Sequence, residues 1–130
     1  MSGNPREHQE QACRAYFESY LPGLQGQLLI SGLKSLSCAL GVVIDDLDAG
    51  GWTLVVEAGR LSTIVRGITG ATAVFRLDVR TLLDIATGVL PPDKAFFDLR
   101  IEIEGDVALG LQLSTVLEPF FRQFPFQFPQ

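Results

Sequence analysis

The chain has 130 residues, nearly half of them hydrophobic, and 15 acidic against 10 basic side chains leave a formal charge of −5. That length suits one domain with a real core, and the apolar fraction excludes disorder over most of it. An acidic chain with no basic stripe is poorly suited to nucleic acid or an anionic membrane surface, since both need Lys and Arg to meet phosphate.

The first ten residues are polar and read as a flexible N-terminus. From Gln11 to Leu21 the apolar positions Ala12, Cys13, Tyr16, Phe17 and Tyr20 recur at helical spacing, and Pro22-Gly23 ends the run. Leu29, Leu33, Leu36 and Leu40 then predict a second helix over Gln25 to Ala39, with Gly32 as its weak point. After Gly41 the period changes to two. Strands are expected at Val42 to Asp48, Trp52 to Ala58, Leu61 to Arg66 and Ala71 to Leu77. The short connections, including Gly59-Arg60 and Gly67 to Gly70, predict an antiparallel meander.

Asp78 is placed to cap a helix carrying Leu82, Leu83, Ile85 and Ala86, with Gly88 at its left-handed end. Pro91 and Pro92 stop that helix and start a short turn bearing Phe96 and Phe97. Leu99, Ile101 and Ile103 alternate with Arg100, Glu102 and Glu104, a strand with one face in water. Gly105-Asp106 ends it and caps a last helix with Leu109, Leu113, Val116, Leu117 and Phe120 on its apolar side. The pattern predicts an α+β fold, a five-stranded, mostly antiparallel sheet covered on one face by helices.

Catalytic groupings are missing. His8 is the sole histidine and lies in the polar N-terminus, so nucleophile–base pairs and histidine-rich zinc sites have no basis. Asp45, Asp46 and Asp48 lack the glycine and distal glutamate of a calcium loop and read as a solvated turn. Gly67-Ile68-Thr69-Gly70 has no following helix or lysine to cradle phosphate. Glu102 and Glu104 share the solvated face of a strand, where glycoside chemistry would require a cleft. No enzyme, cofactor or metal is therefore expected. Cys13 and Cys38 read as free thiols. With no apolar leader and no run long enough to span a bilayer, a soluble cytoplasmic domain is the expectation.

The chain closes on an aromatic extension. Phe120, Phe121, Phe124, Phe126 and Phe128 are interleaved with Pro125 and Pro129, so the last part is extended and must hide against something. A sheet edge, a partner chain, a membrane surface or the mouth of a cavity would serve.

Residues Thr87-Gly88, Pro92, Ala95-Phe96-Phe97 and Arg100 to Asp106, followed by the apolar run Ala108 to Leu113, resemble the sterol carrier protein 2 (SCP-2) family of lipid-transfer domains. Trp52 to Gly59 and Phe75-Arg76-Leu77 match its central strands more loosely. The stand-alone size is similar to that of bacterial members, some of which assist quinone biosynthesis. The resemblance implies a five-stranded sheet with helices on one side and an apolar tunnel between them for fatty acyl chains, sterols or isoprenoid lipids. It places Phe96, Phe97, Ile103, Leu109 and Leu113 at or near that tunnel, with Trp52, Phe75, Leu83, Leu117 and Phe120 as further lipid-binding candidates. The domain would cover residues 11–118, with 119–130 as the aromatic extension. Where the family often carries glycine this chain has Leu99, which is expected to tighten the turn and narrow the pocket. The function implied is a non-catalytic lipid carrier with transient membrane contact. The alternative is a scaffold docking a biosynthetic enzyme, or a second copy, through Phe120 to Phe128.

Overall fold

A computed structural model describes residues 5–29, 36–47 and 50–127. It contains a five-stranded sheet in the order β3-β2-β1-β4-β5. The strands are β1 (Cys38–Ile44), β2 (Gly51–Glu57), β3 (Arg60–Arg66), β4 (Ala73–Leu77) and β5 (Glu102–Gly105). The helices are α1 (Pro5–Ala15), α2 (Val79–Ala86), α3 (Pro92–Phe97), α4 (Val107–Val116) and α5 (Glu118–Gln123). A π turn over Tyr16–Tyr20 and a 3-10 turn over Leu21–Leu24 extend α1.

Period-two patterning sets the faces. Leu40, Val42 and Ile44 of β1 stand beside Leu54 and Trp52 of β2 and beside Ala73, Phe75 and Leu77 of β4. These side chains point toward the helices, and Ile103 of β5 joins them opposite Phe75. Arg76, Glu102 and Glu104 point the other way, into water, as alternation requires. At the β2 end, Phe17 stacks on Trp52 with ring centroids 4.5 Å apart. Glu18 accepts hydrogen bonds from the Trp52 indole and the Arg66 guanidinium, tying the π turn to the sheet.

The connections differ from the meander in one respect. β1, β2 and β3 follow each other as antiparallel neighbours, with Ala58 and Gly59 both at positive φ in the hairpin turn, the backbone twist such a turn needs. β4 then pairs parallel to β1 on its other side. The Gly67–Gly70 stretch is a crossover rather than a hairpin. Thr53 holds it, its hydroxyl donating to the Gly67 carbonyl at 2.7 Å and accepting from the Thr69 amide at 3.0 Å. Ile68 packs over the bare backbone of Gly41 and Gly51. Sequence periodicity cannot separate this crossover from a hairpin, because both are short glycine-bounded links between alternating strands.

Two further expectations need correction. Gln25 to Leu29 is turn and bridge rather than helix, and Cys38 and Ala39 already belong to β1; residues 30–35 lie outside the described residues. The Gly26 amide bonds to the Leu61 carbonyl, the Leu29 amide to the Gly59 carbonyl, and the Gly59 amide to the Leu36 carbonyl. The segment thus satisfies the β2–β3 hairpin and covers an edge otherwise open to association. The N-terminal helix also begins earlier than expected, at Pro5, so residues 5–10 are helical.

α2 is capped twice. The Asp78 carboxylate accepts from the Thr81 amide at 2.8 Å, and Asp46 accepts from the Val79 amide at 2.9 Å, satisfying amides that the helix leaves free. α4 sits directly on β5, because a Cβ at Gly110 would come within 2.5 Å of Ile103. The last helix breaks at Leu117 into α4 and α5. Pro119 lacks an amide hydrogen and its ring crowds the preceding turn, which is sufficient cause.

Candidate functional site

Between the inner sheet face and the helices lies a cavity of about 70 Å³ with apolar walls. The sheet supplies Leu40, Val42, Phe75 and Leu77, with Ile101 leading into β5. The helices supply Leu82 and Ile85 from α2, Pro92 from α3, Leu117 just beyond α4 and Phe121 from α5. Ser114 is the polar member, and its hydroxyl donates to the Leu111 carbonyl at 2.6 Å. No side chain there presents an unsatisfied polar atom among the described residues. Such a surface can hold hydrocarbon and little else.

Of the ten residues put forward from the sequence, Phe75 and Leu117 line this cavity. Trp52, Leu83, Leu113 and Phe120 are buried in the surrounding core. Ile103 and Leu109 are half-buried against that core. Phe96 is half-buried and meets Phe97 edge to face. Phe97 itself is 72% exposed. α3 is a short helix whose inner side is taken by Pro92 and Ala95, so its adjacent phenylalanines cannot both face inward. Leu40 of the β1 wall escapes sequence reasoning because its spacing from Leu29, Leu33 and Leu36 fits a helix. Phe121 escapes it because it falls within the aromatic extension. Alternation in β1 and the break at Pro119 were the available signals.

Leu99 does not narrow the cavity. It sits at φ 63 as the left-handed residue ending α3, 91% exposed. Arg100, expected on the wet face of a strand, reaches back to α2. Its Nε donates to the Thr81 hydroxyl at 3.1 Å and its Nη2 to Asp84 at 2.9 Å.

The aromatic extension folds onto its own chain. The Phe126 amide donates to the Ala86 carbonyl at 2.8 Å, and the Tyr20 hydroxyl donates to the Pro125 carbonyl at 3.2 Å. The Phe126 ring is 6% exposed and lies 5.1 Å from both Tyr16 and Tyr20. The strap therefore joins the α1 turn to α2, and it follows directly on α5, which supplies Phe121 to the cavity wall. Phe128, the last residue of the expected docking surface, lies outside the described residues.

Burial pushes the Cys13 thiol up to about 12 and raises Cys38 as well, so neither forms a thiolate readily near neutral pH. Among the described residues no cluster of His, Cys, Asp or Glu could hold a metal ion, and no helix is long and apolar enough to cross a membrane.

A helix-covered five-stranded sheet with an apolar interior is the fold of sterol carrier protein 2 structures. Residues 25–118 match the SCP-2 sterol transfer family, and the chain belongs to that family. Among solved structures it is similar to a sterol carrier protein 2 crystal structure, with 18% identity, a TM-score of 0.60, and coverage of 93% of this chain and 95% of that one. It is also similar to the UbiJ-SCP2 ubiquinone synthesis protein, with 16% identity, a TM-score of 0.56 and coverage of 86% and 97%. A third similar structure is palmitated SCP2L2 from Aedes aegypti, with 14% identity, a TM-score of 0.54 and coverage of 95% and 97%. No curated protein sequence matches.

Proposed function

We propose that this protein is a non-catalytic carrier that takes the hydrocarbon part of a lipid between the inner sheet face and α2, α4 and α5. The observation that carries this reading is the apolar cavity bounded by Val42, Phe75, Ile85, Leu117 and Phe121 in a chain of a sterol transfer family. Burying a methylene is worth about 0.8 kcal/mol, so a chain of about sixteen carbons offers on the order of 12 kcal/mol gross. Ordering the lipid and lost rotation offset much of it, leaving micromolar to nanomolar affinity.

The cavity of about 70 Å³ is small beside the roughly 300–1,000 Å³ of ordinary ligand pockets. Loading a long chain therefore requires the wall to move. The strands are held by ladders of backbone hydrogen bonds, whereas Leu117 and Phe121 stand on the segment tied down by Phe126. On this reading α5 and the strap swing outward as lipid enters. The palmitated relative supports a fatty acyl chain as one acceptable ligand, and the ubiquinone synthesis relative supports an isoprenoid one.

Native mass spectrometry of gently purified protein, combined with uptake of a fluorescent fatty acid and of Nile red, tests the proposal. A retained lipid mass, or saturable uptake of either probe, is expected. Ligand-free protein that takes up neither would overturn it. Phe126 is engaged within its own chain, so the scaffold alternative draws its support from the ubiquinone synthesis relative rather than from that ring.

A further inference from the structure

The end of α3 shows two large apolar side chains to solvent, Phe97 at 72% exposure and Leu99 at 91%. Leu99 closes the helix. Its amide donates to the Phe96 carbonyl at 3.0 Å, and the Arg100 amide donates to the Ala95 carbonyl at 2.8 Å, the paired bonds of a left-handed helix end that glycine fills most easily. Both bonds belong to the backbone, so the closure has no use for a leucine side chain. That side chain adds strain at φ 63 and buries almost nothing. Phe97 meets the Phe96 ring edge to face and leaves most of its own ring in water. Pro92 and Ile101, on either side of this tip in the chain, line the apolar cavity.

We propose that Phe97 and Leu99 form a wedge that enters the surface of an uncharged phospholipid bilayer, setting the outer side of the cavity wall against the membrane from which lipid is drawn. The proposal rests on the lipid-carrier reading above. Two such side chains cover on the order of 300 Å², well short of the roughly 800 Å² that each partner buries in a stable protein interface. A bilayer needs no matching surface, only apolar groups that stand clear of the polar ones around them. The charges near the tip select the kind of bilayer. Lys94 lies 3.4 Å from Asp98, and Arg100 is bound to Asp84 and Thr81, so neither cation is spare to meet anionic lipid. The neighbouring helix α4 carries no charged side chain from Val107 to Val116, and the chain as a whole has a charge of −5. Contact therefore depends on the apolar pair and not on attraction between charges.

The test is flotation of the full chain with phosphatidylcholine vesicles. Wild type is expected to float with them. Fully burying one large apolar side chain is worth about tenfold or more in an equilibrium constant, so with partial insertion Leu99→Gly should need at least about fivefold more lipid for half-binding. Because glycine suits the backbone at this position, misfolding does not account for such a loss, and circular dichroism checks the fold. In Phe97→Trp the introduced indole should shift its emission to the blue and resist acrylamide once vesicles are added. The chain's own Trp52 is 1% exposed and stays constant. Wild type that stays in solution, Leu99→Gly that floats equally well, or unchanged emission would each overturn the wedge. So would flotation that requires phosphatidylglycerol, or a dimer that dissociates on Leu99→Gly in place of vesicle binding, the latter assigning the tip to a second copy. Wild-type uptake of Nile red from vesicle-free buffer is read separately. Its failure overturns the carrier reading and this proposal with it, whereas normal uptake beside failed flotation overturns the wedge alone.

Discussion

Phe126→Ala should uncouple the C-terminal strap from the body of the protein. The ring is 6% exposed and sits 5.1 Å from both Tyr16 and Tyr20. Aromatic pairs of this kind contribute about 0.5–1.5 kcal/mol each beyond burial, and truncating a fully packed phenylalanine costs about 3–5 kcal/mol. Because the strap around Phe126 lies outside any helix or strand, its backbone can relax into the vacated space rather than hold a cavity open. The expected loss is therefore at the low end, about 3 kcal/mol. In a domain of this size that corresponds to a fall in Tm of roughly 10 °C, read by calorimetry or circular dichroism. Phe126→Leu, which keeps most of the apolar volume, should lose less than half as much. The same variant should take up Nile red faster, because Phe121 shares the loosened segment and forms the cavity wall. A Tm within about 2 °C of wild type, together with unchanged uptake, would refute the strap as an anchor and as a gate.

Other outcomes follow from individual positions. Leu99 holds a left-handed conformation while burying almost nothing. Leu99→Gly should accordingly raise stability by about 0.5–1 kcal/mol, the left-handed strain of a side chain less glycine's greater entropy cost; denaturant titration checks this. Thiol labelling at pH 8 should modify half-buried Cys38 well before Cys13, whose burial holds it near 12; equal rates would contradict the packing of α1. Hydrogen bonding from Arg66, opposed by desolvation and aided by the Trp52 indole, holds the Glu18 carboxyl below its ordinary 4.5. A folded value below the unfolded one contributes stability above about pH 4.5 that is lost as pH falls through the folded value. Glu18→Gln should flatten the stability curve below that pH, by under about 1 kcal/mol because the pair is exposed. The remaining acid slope should persist through Asp78. Burial raises its carboxyl, but the Thr81 hydrogen bonds outweigh that and hold it low.

What could be read along the chain was local. The alternation in Trp52 to Glu57 and in Ala73 to Leu77 defines strands by side-chain period alone. Asp78, the apolar stripe of Leu82, Leu83, Ile85 and Ala86, and Gly88 define α2 through capping and helical spacing. The residues from Thr87 to Asp106 were sufficient to indicate the family. Pairing partners were less legible. The spacing of Leu29, Leu36 and Leu40 fits a helix, yet the amides of this region bond to the β2–β3 hairpin, a preference decided by a distant edge in need of cover. The crossover after β3 likewise depends on Thr53 and on the bare backbone of Gly41 and Gly51, none of which marks the linking segment itself.

The candidate site divides along the same line. Sequence by itself determined that this is an acidic α+β domain with a surplus of apolar side chains, because those properties belong to composition and period. It could not say which apolar residues form wall and which form core, since both obey the same burial pattern. Only the tertiary structure turned Phe97 outward, brought Leu40 and Val42 beneath Phe121, folded Phe126 between Tyr16 and Tyr20, and drew Arg100 back onto Thr81 and Asp84. Those outcomes depend on strand order and on the break at Pro119, which place residues far apart in the chain within one layer of packing.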